Sequence, residues 1–165
     1  MYDNSIPVFA KMLGNLSAIL DKGAKHCEAK KLDPNALLTA RLFPDMFPLT
    51  RQVQVATDQA KGGAARLAGL EVPKYEDTEK TFDDLKARIA KTIAFVNGVK
   101  AEQVANSGGR DIALTLGPNT VTFKGEWYLK HFVTPNLYFH VTTAYNILRH
   151  NGVELGKRDF IGGMN

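Results

Sequence analysis

Four stretches of this chain carry apolar residues at helical spacing, and together they leave few architectures open. Over residues 6–29, Phe9, Leu13, Leu16, Leu20 and Cys27 recur every three, four or seven positions, which sets them on one helical face. Ser5 is the expected N-cap, and Pro7 falls in the first turn, where a missing N–H costs little. A second stripe, Leu49, Val53, Ala56, Ala60, Ala64 and Leu67, predicts a helix over 46–68 with Asp45 as cap and Gly69 as stop. Small residues dominate it, so another element can approach closely. The third stripe, Phe82, Leu85, Ile89, Ile93 and Val96, starts at a capping box of Thr81 with Asp84 and is expected to end in a left-handed turn at Asn97-Gly98. The fourth, Leu137, Val141, Ala144 and Leu148, lies in a helix predicted over 126–150. Pro135 interrupts that helix, either by a kink or by a fresh start capped at Thr134. Four amphipathic helices satisfy one another in a bundle, so the fold class is mainly α.

The period changes once. Ile112, Leu114 and Leu116 alternate, Gly117-Pro118-Asn119 turns the chain, and Val121 and Phe123 alternate again, which predicts a short β-hairpin before the last helix. Two strands alone are marginal, so the hairpin must lean on the bundle. After Asn151-Gly152 the glycine-rich tail still holds Phe160 and Ile161, which predicts that it packs back on the body. With 165 residues, 44% of them apolar, the chain is read as one domain, 1–165, large enough to hold its own core. The single cysteine, Cys27, permits no internal disulfide and fits a reducing compartment; on the apolar stripe it reads as a small core side chain.

Charge excludes some partners. The formal net charge is +4, yet acids and bases alternate along the chain: between Glu71 and Lys91 six acids mix with five bases. No basic stripe with interleaved aromatics is present, so no nucleic-acid partner is expected. No run nears the roughly 20 apolar residues that cross a bilayer, and Met1-Tyr2-Asp3-Asn4 does not begin a secretory signal. A cytoplasmic location away from membranes is the expectation.

The sequence has no His-Glu-x-x-His, Cys-x-x-Cys, phosphate loop or Gly-x-Ser-x-Gly elbow. Of the four histidines, His26 stands in a lysine-rich helix end and His150 in a last turn, where an imidazolium meets the helix dipole favourably. His131 precedes Pro135. His140 lies beside the core stripe, with Asn136 one turn back, so the two side chains are expected to meet on one face. Burial there demands hydrogen-bond partners for the imidazole.

Asp45-Met46-Phe47-Pro48-Leu49 with Arg51-Gln52-Val53, the run from Phe139 to Val153, and Gly156-Lys157-Arg158-Asp159-Phe160 resemble an uncharacterised bacterial family of the DinB/YfiT-like superfamily. The resemblance covers nearly the whole chain. It implies an up-down-down-up four-helix bundle, commonly paired as a homodimer. It also implies kinship with metal-dependent enzymes, among them thiol-dependent transferases and isomerases. Their metal is held by one histidine on the second helix and a His-x-x-x-His pair on the fourth. This chain departs from that pattern: the first member of the pair is Asn136, the second is His140, and the second helix has no histidine.

Two readings follow. In the first, the chain is a metal-free binding or interaction protein. A small polar ligand is then held by Asn136, His140, Tyr138, Tyr145, Asp45, Arg51 and Gln52, as polar groups converging in an apolar cleft do. In the second, His140 is catalytic in a remodelled site. It acts there as general acid or base beside Asp45, or as ligand to a zinc or nickel ion completed by Asp45 and His131.

Overall fold

The computed structural model describes residues 1–163. Helix α1 spans Ile6–Lys30, followed by a single turn α2, Pro34–Leu38, then α3, Leu49–Ala68, and α4, Phe82–Asn97. A short turn α5, Ala101–Val104, leads to strands β1, Asp111–Leu116, and β2, Asn119–Lys124. The chain then enters one continuous helical run. It begins as α6, Gly125–Trp127, passes through a π-helical stretch, Tyr128–Val133, and continues as α7, Thr134–His150. Helix α8, Lys157–Ile161, closes the fold.

The four predicted stripes are the core. Phe9, Leu13, Leu16 and Leu20 of α1 are fully buried, as are Leu49, Val53, Ala56, Ala60, Ala64 and Leu67 of α3 and Leu137, Val141, Ala144 and Leu148 of α7. Cys27 joins them, its thiol pushed up in pKa by burial and then by Asp33. Around the bundle α1 packs on α4, α4 on α3, α3 on α7 and α7 back on α1. The small face of α3 admits the close approach expected of it. A Cβ at Gly63 would stand 2.6 Å from Val133 and 3.2 Å from Phe9, so α1, α3 and the π stretch meet there.

The 13 residues between α3 and α4, 69–81, form the long connection of an up-down-down-up bundle. Extended, they reach about 40 Å, more than the roughly 30 Å of a 20-residue helix, so the chain can return along the bundle before starting a parallel neighbour. Arg88 of α4 ties this strap down. Its side chain is 2% exposed. It donates to Thr57 Oγ1 at 2.7 Å, the Glu76 carbonyl at 3.0 Å, Glu79 Oε1 at 3.0 Å and Asp58 Oδ1 at 3.0 Å, with Asp77 at 3.1 Å. The Tyr75 ring meanwhile lies against Lys61 Nζ at 3.9 Å and Lys91 Nζ at 4.3 Å.

Several local expectations are corrected. Helix α3 starts at Leu49, not at 46, because Pro48 takes the N-cap position and disfavours helix at the residue before it. Asp45 therefore caps nothing. Ser5 sits at the start of α1, but its hydroxyl donates backwards to the Met1 and Tyr2 carbonyls. Gly98 ends α4 at φ −73°, in right-handed rather than left-handed geometry. Gly69, by contrast, is left-handed at φ 72°, as a glycine stop should be. The capping box forms, Asp84 N donating to Thr81 Oγ1 and Thr81 N to Asp84 Oδ2, both at 3.0 Å. The hairpin has the register Ile112↔Phe123 and Leu114↔Val121, with a two-residue turn at Gly117-Pro118. Ile112 and Leu114 are its buried face. At Pro135 the helix neither breaks nor restarts: Thr134 has helical dihedrals, and the π stretch before it takes up the irregularity. In the tail, Asn15 Nδ2 donates to the Phe160 carbonyl at 2.9 Å and Phe160 meets Tyr145 edge-on, so it does pack back. No helix among the described residues is long and apolar enough to cross a membrane.

Candidate functional site

Helix α7 carries His140 into its interface with α3 because 140 lies one turn beyond Leu137 and beside Val141, both fully buried. Across that interface stands Gln52, 1% exposed, one turn into α3. His140 Nδ1 and Gln52 Oε1 are 2.7 Å apart. The direction of that bond follows from the other end of the amide. Gln52 Nε2 donates to the Phe47 carbonyl at 3.0 Å, which leaves Oε1 as an acceptor. Nδ1 therefore holds the proton, and the lone pair of the neutral ring sits on Nε2. Ser107 Oγ is the only sealed side-chain polar atom without a partner among the described residues. Nε2 makes no hydrogen bond to them either, so it keeps contact with solvent, although His140 as a whole is 8% exposed. Burial, and secondarily the positive charge of Arg51, push the imidazole below its ordinary pKa of 6.5. At neutral pH His140 is an acceptor held in one tautomer.

The rim of this site is aromatic and basic. Phe139 meets the imidazole edge-on at 5.3 Å and is 56% exposed; Phe47 is 50% exposed. The Arg51 guanidinium lies 5.8 Å from the Phe47 ring centre, with Gln54 Oε1 at 3.3 Å and an ion pair to Asp77. That pair ties the site to the strap between α3 and α4.

The other sequence candidates fall elsewhere. Asn136 does not reach His140: its Nδ2 donates to the Phe132 carbonyl at 2.7 Å, one turn back on its own helix. Asp45 is exposed and makes no hydrogen bond or ion pair among the described residues. Tyr138 and Tyr145 occupy another face of α7, towards α8. Tyr138 lines a cavity of about 530 Å³ with Met12 and Phe160, and Tyr145 packs on Phe160. His131 is exposed and lies on Trp127, ring centres 5.3 Å apart. Of the eight candidates, the structure brings together His140, Gln52 and, at the edge, Arg51. Phe47 and Phe139 complete the site; in the sequence they stand out only as parts of the resembling segments. Two flanking aromatics beside candidate polar residues were the signal available.

A metal of the kind the resemblance implies needs donors that this site does not assemble. The α3 residue facing His140 is an amide, Asn136 is spent on the backbone, and no group of three His, Cys, Asp or Glu side chains is placed to hold a metal ion among the described residues. A three-histidine set does not fit.

A family model described as a domain of unknown function, DUF1993, matches residues 1–161. Among solved structures, a DinB family member protein from Shewanella denitrificans is 43% identical to this chain. It superposes with a TM-score of 0.90 over 99% of this chain and 92% of that one. No curated protein matches.

Proposed function

Because the chain belongs to the DUF1993 family, whose function is unknown and whose fold is DinB-like, we propose from its own site that it is a metal-free binding protein. His140 Nε2 accepts a hydrogen bond from a small polar ligand there. The observation that carries this reading is the Phe47–Gln52–His140 chain of hydrogen bonds, which sets the proton on Nδ1 and leaves the Nε2 lone pair without a partner among the described residues. Phe47 and Phe139 supply the apolar contacts and Arg51 the positive charge beside it. The homodimer implied by the resemblance belongs to the same proposal, since the exposed Phe43, Phe47 and Phe139 are apolar surface that pairing covers.

One observation favours the second reading, an enzyme. A histidine that donates Nδ1–H to a fixed acceptor and offers Nε2 is placed as metal ligands and general bases are. The metal content of untagged protein, after incubation with zinc, nickel or manganese, separates the two. We expect no stoichiometric metal in the wild type or in His140→Ala. About one equivalent in the wild type, lost in His140→Ala, overturns the metal-free reading. A fragment screen followed by NMR of the histidine ring nitrogens tests binding itself. Ligands that move the Nε2 signal, and that fail to bind folded His140→Ala, are the expected result; sedimentation of wild type against Phe139→Asp reads the dimer.

A further inference from the structure

A second cluster, away from His140, sets the buried Lys61 near Arg66 on α3. Lys61 of α3 is 5% exposed. Its ammonium has Asp58 Oδ1 at 2.9 Å, but the same oxygen also receives Arg88 Nη2 at 3.0 Å. Arg66, one turn further on and partly buried, has no carboxylate partner among the described residues. Its Nη1 donates to the Tyr128 hydroxyl at 3.2 Å. Lys61 has its acid and also lies on the Tyr75 ring at 3.9 Å, whereas the partly buried Arg66 has only a hydroxyl among the described residues. The seat of Arg66 is also built into the sequence. A Cβ on Gly62 would stand 2.5 Å from Arg66 Nη1, so the guanidinium lies against α3 only because the residue one turn back has no side chain. A glycine inside a helix is less favourable than alanine, and here it creates that space.

These groups open into a cleft of about 630 Å³ between α3, the strap, β1 and the π stretch. That size lies within the range of small-molecule sites. Asp58 is the only acid on its lining among the described residues, against Lys61, Arg66 and Lys74. The remaining wall is largely apolar, formed by Val72, Pro73, Leu114 and Phe132. We propose that this cleft binds a small organic carboxylate, its oxygens taken by the Arg66 fork and its apolar body laid against Pro73, Leu114 and Phe132. The planar guanidinium matches a carboxylate bidentately. Lys61 adds charge from below, where Asp58 is already shared. The apolar wall selects an organic acid over a bare anion.

The test uses benzoate as the simplest such acid, benzamide as its neutral counterpart, and inorganic phosphate as an anion without an apolar body. Binding is followed by protein NMR titration of the full chain. Benzoate is expected to saturate in the millimolar range, perturbing residues 62–75 and 114–132, with benzamide and phosphate at least about tenfold weaker. Arg66→Gln is expected to weaken benzoate by about tenfold or more. Gly62→Ala keeps every charge and displaces the guanidinium from its seat, so it is expected to weaken benzoate as well, while Lys25→Gln on a distant surface leaves it unchanged. No saturable binding by the wild type overturns the proposal, as does equal binding by folded Arg66→Gln and Gly62→Ala. Phosphate binding as tightly as benzoate overturns the organic half of it.

Discussion

Replacing Gln52 by leucine tests the reasoning about His140 most directly. Gln52 makes two bonds in a place that is 1% exposed, one from His140 Nδ1 and one to the Phe47 carbonyl. Each such bond contributes about 0.5–1.5 kcal/mol net, and an orphaned buried group costs about 1–3 kcal/mol. Gln52→Leu is therefore expected to destabilise by about 2–4 kcal/mol. His140→Leu strands Gln52 Oε1 instead and should cost about 1–3 kcal/mol. The two losses share one bond, so the double variant should be about 1–2 kcal/mol more stable than the sum of the singles requires. Urea unfolding at neutral pH, followed by circular dichroism, measures all four corners of the cycle. A second readout is the ring tautomer in Gln52→Leu. With its acceptor gone, the proton should move to the solvent-facing Nε2, a change that ¹⁵N NMR of the imidazole reports. Additivity of the two substitutions to within about 0.5 kcal/mol, or a tautomer that does not respond, refutes the coupling.

Acid should weaken the wild type through His140. Its folded-state pKa lies below the 6.5 of an ordinary histidine, so just below that pH the unfolded chain binds more protons and stability falls as pH drops. Above the ordinary value the contribution is complete; His140→Gln should flatten the slope of unfolding free energy below pH 6.5, and an unchanged slope counts against it. Arg88→Met removes the one side chain that holds Glu76, Asp77, Glu79 and Asp58 together. Its expected cost is about 2–4 kcal/mol, discounted from a fully buried pair because Asp58 and Asp77 can rehydrate, and limited proteolysis should cut first within 69–81. Gly14 has open space around its Cα, so Gly14→Ala should stabilise α1 by about 0.5–1 kcal/mol. Gly63→Ala meets Val133 and Phe9 and should destabilise by about 1–3 kcal/mol in the same thermal melts.

The bundle was legible because its information is periodic. Leu49 to Leu67 and Leu137 to Leu148 mark buried faces by spacing alone, and the structure buries those residues. Boundaries read less well where neighbouring backbone decides them, as Pro48 does for α3. In the site, one-turn spacing suggested that Asn136 and His140 would meet. The Phe132 carbonyl, one turn back on the same helix, takes the Asn136 amide instead. Tyr138 and Tyr145 lie two and five residues from His140, roughly 160° and 140° away around a regular helix, so their separation from it could have been counted. Lys61, Arg66 and Arg88 could not. On a helix wheel they read as a solvated face, and only the strap across α3 and α4 buries Lys61 and Arg88. Its bonds to Arg88 come from Glu76 and Glu79, 12 and 9 residues back, a separation that no helical or strand period marks.

The π stretch decides where the last helix aims. Tyr128, Leu129, Val133, Leu137 and Val141 are all buried, and from Leu129 onward they are spaced four residues apart. In a regular helix each such step gains roughly 40°, and the row would spiral off the core before reaching Val141. The wider turns over Tyr128–Val133 absorb that drift, acting as a phase corrector between the half of the helix that carries the hairpin and the half that meets α3. His140 is thus clocked from Val133 rather than from the start of the helix. Remove one residue from the π stretch, and everything beyond it turns by roughly 100°, carrying the imidazole away from Gln52 with no residue of the site altered. In this chain the spacing before the site is as much a part of it as the side chains are.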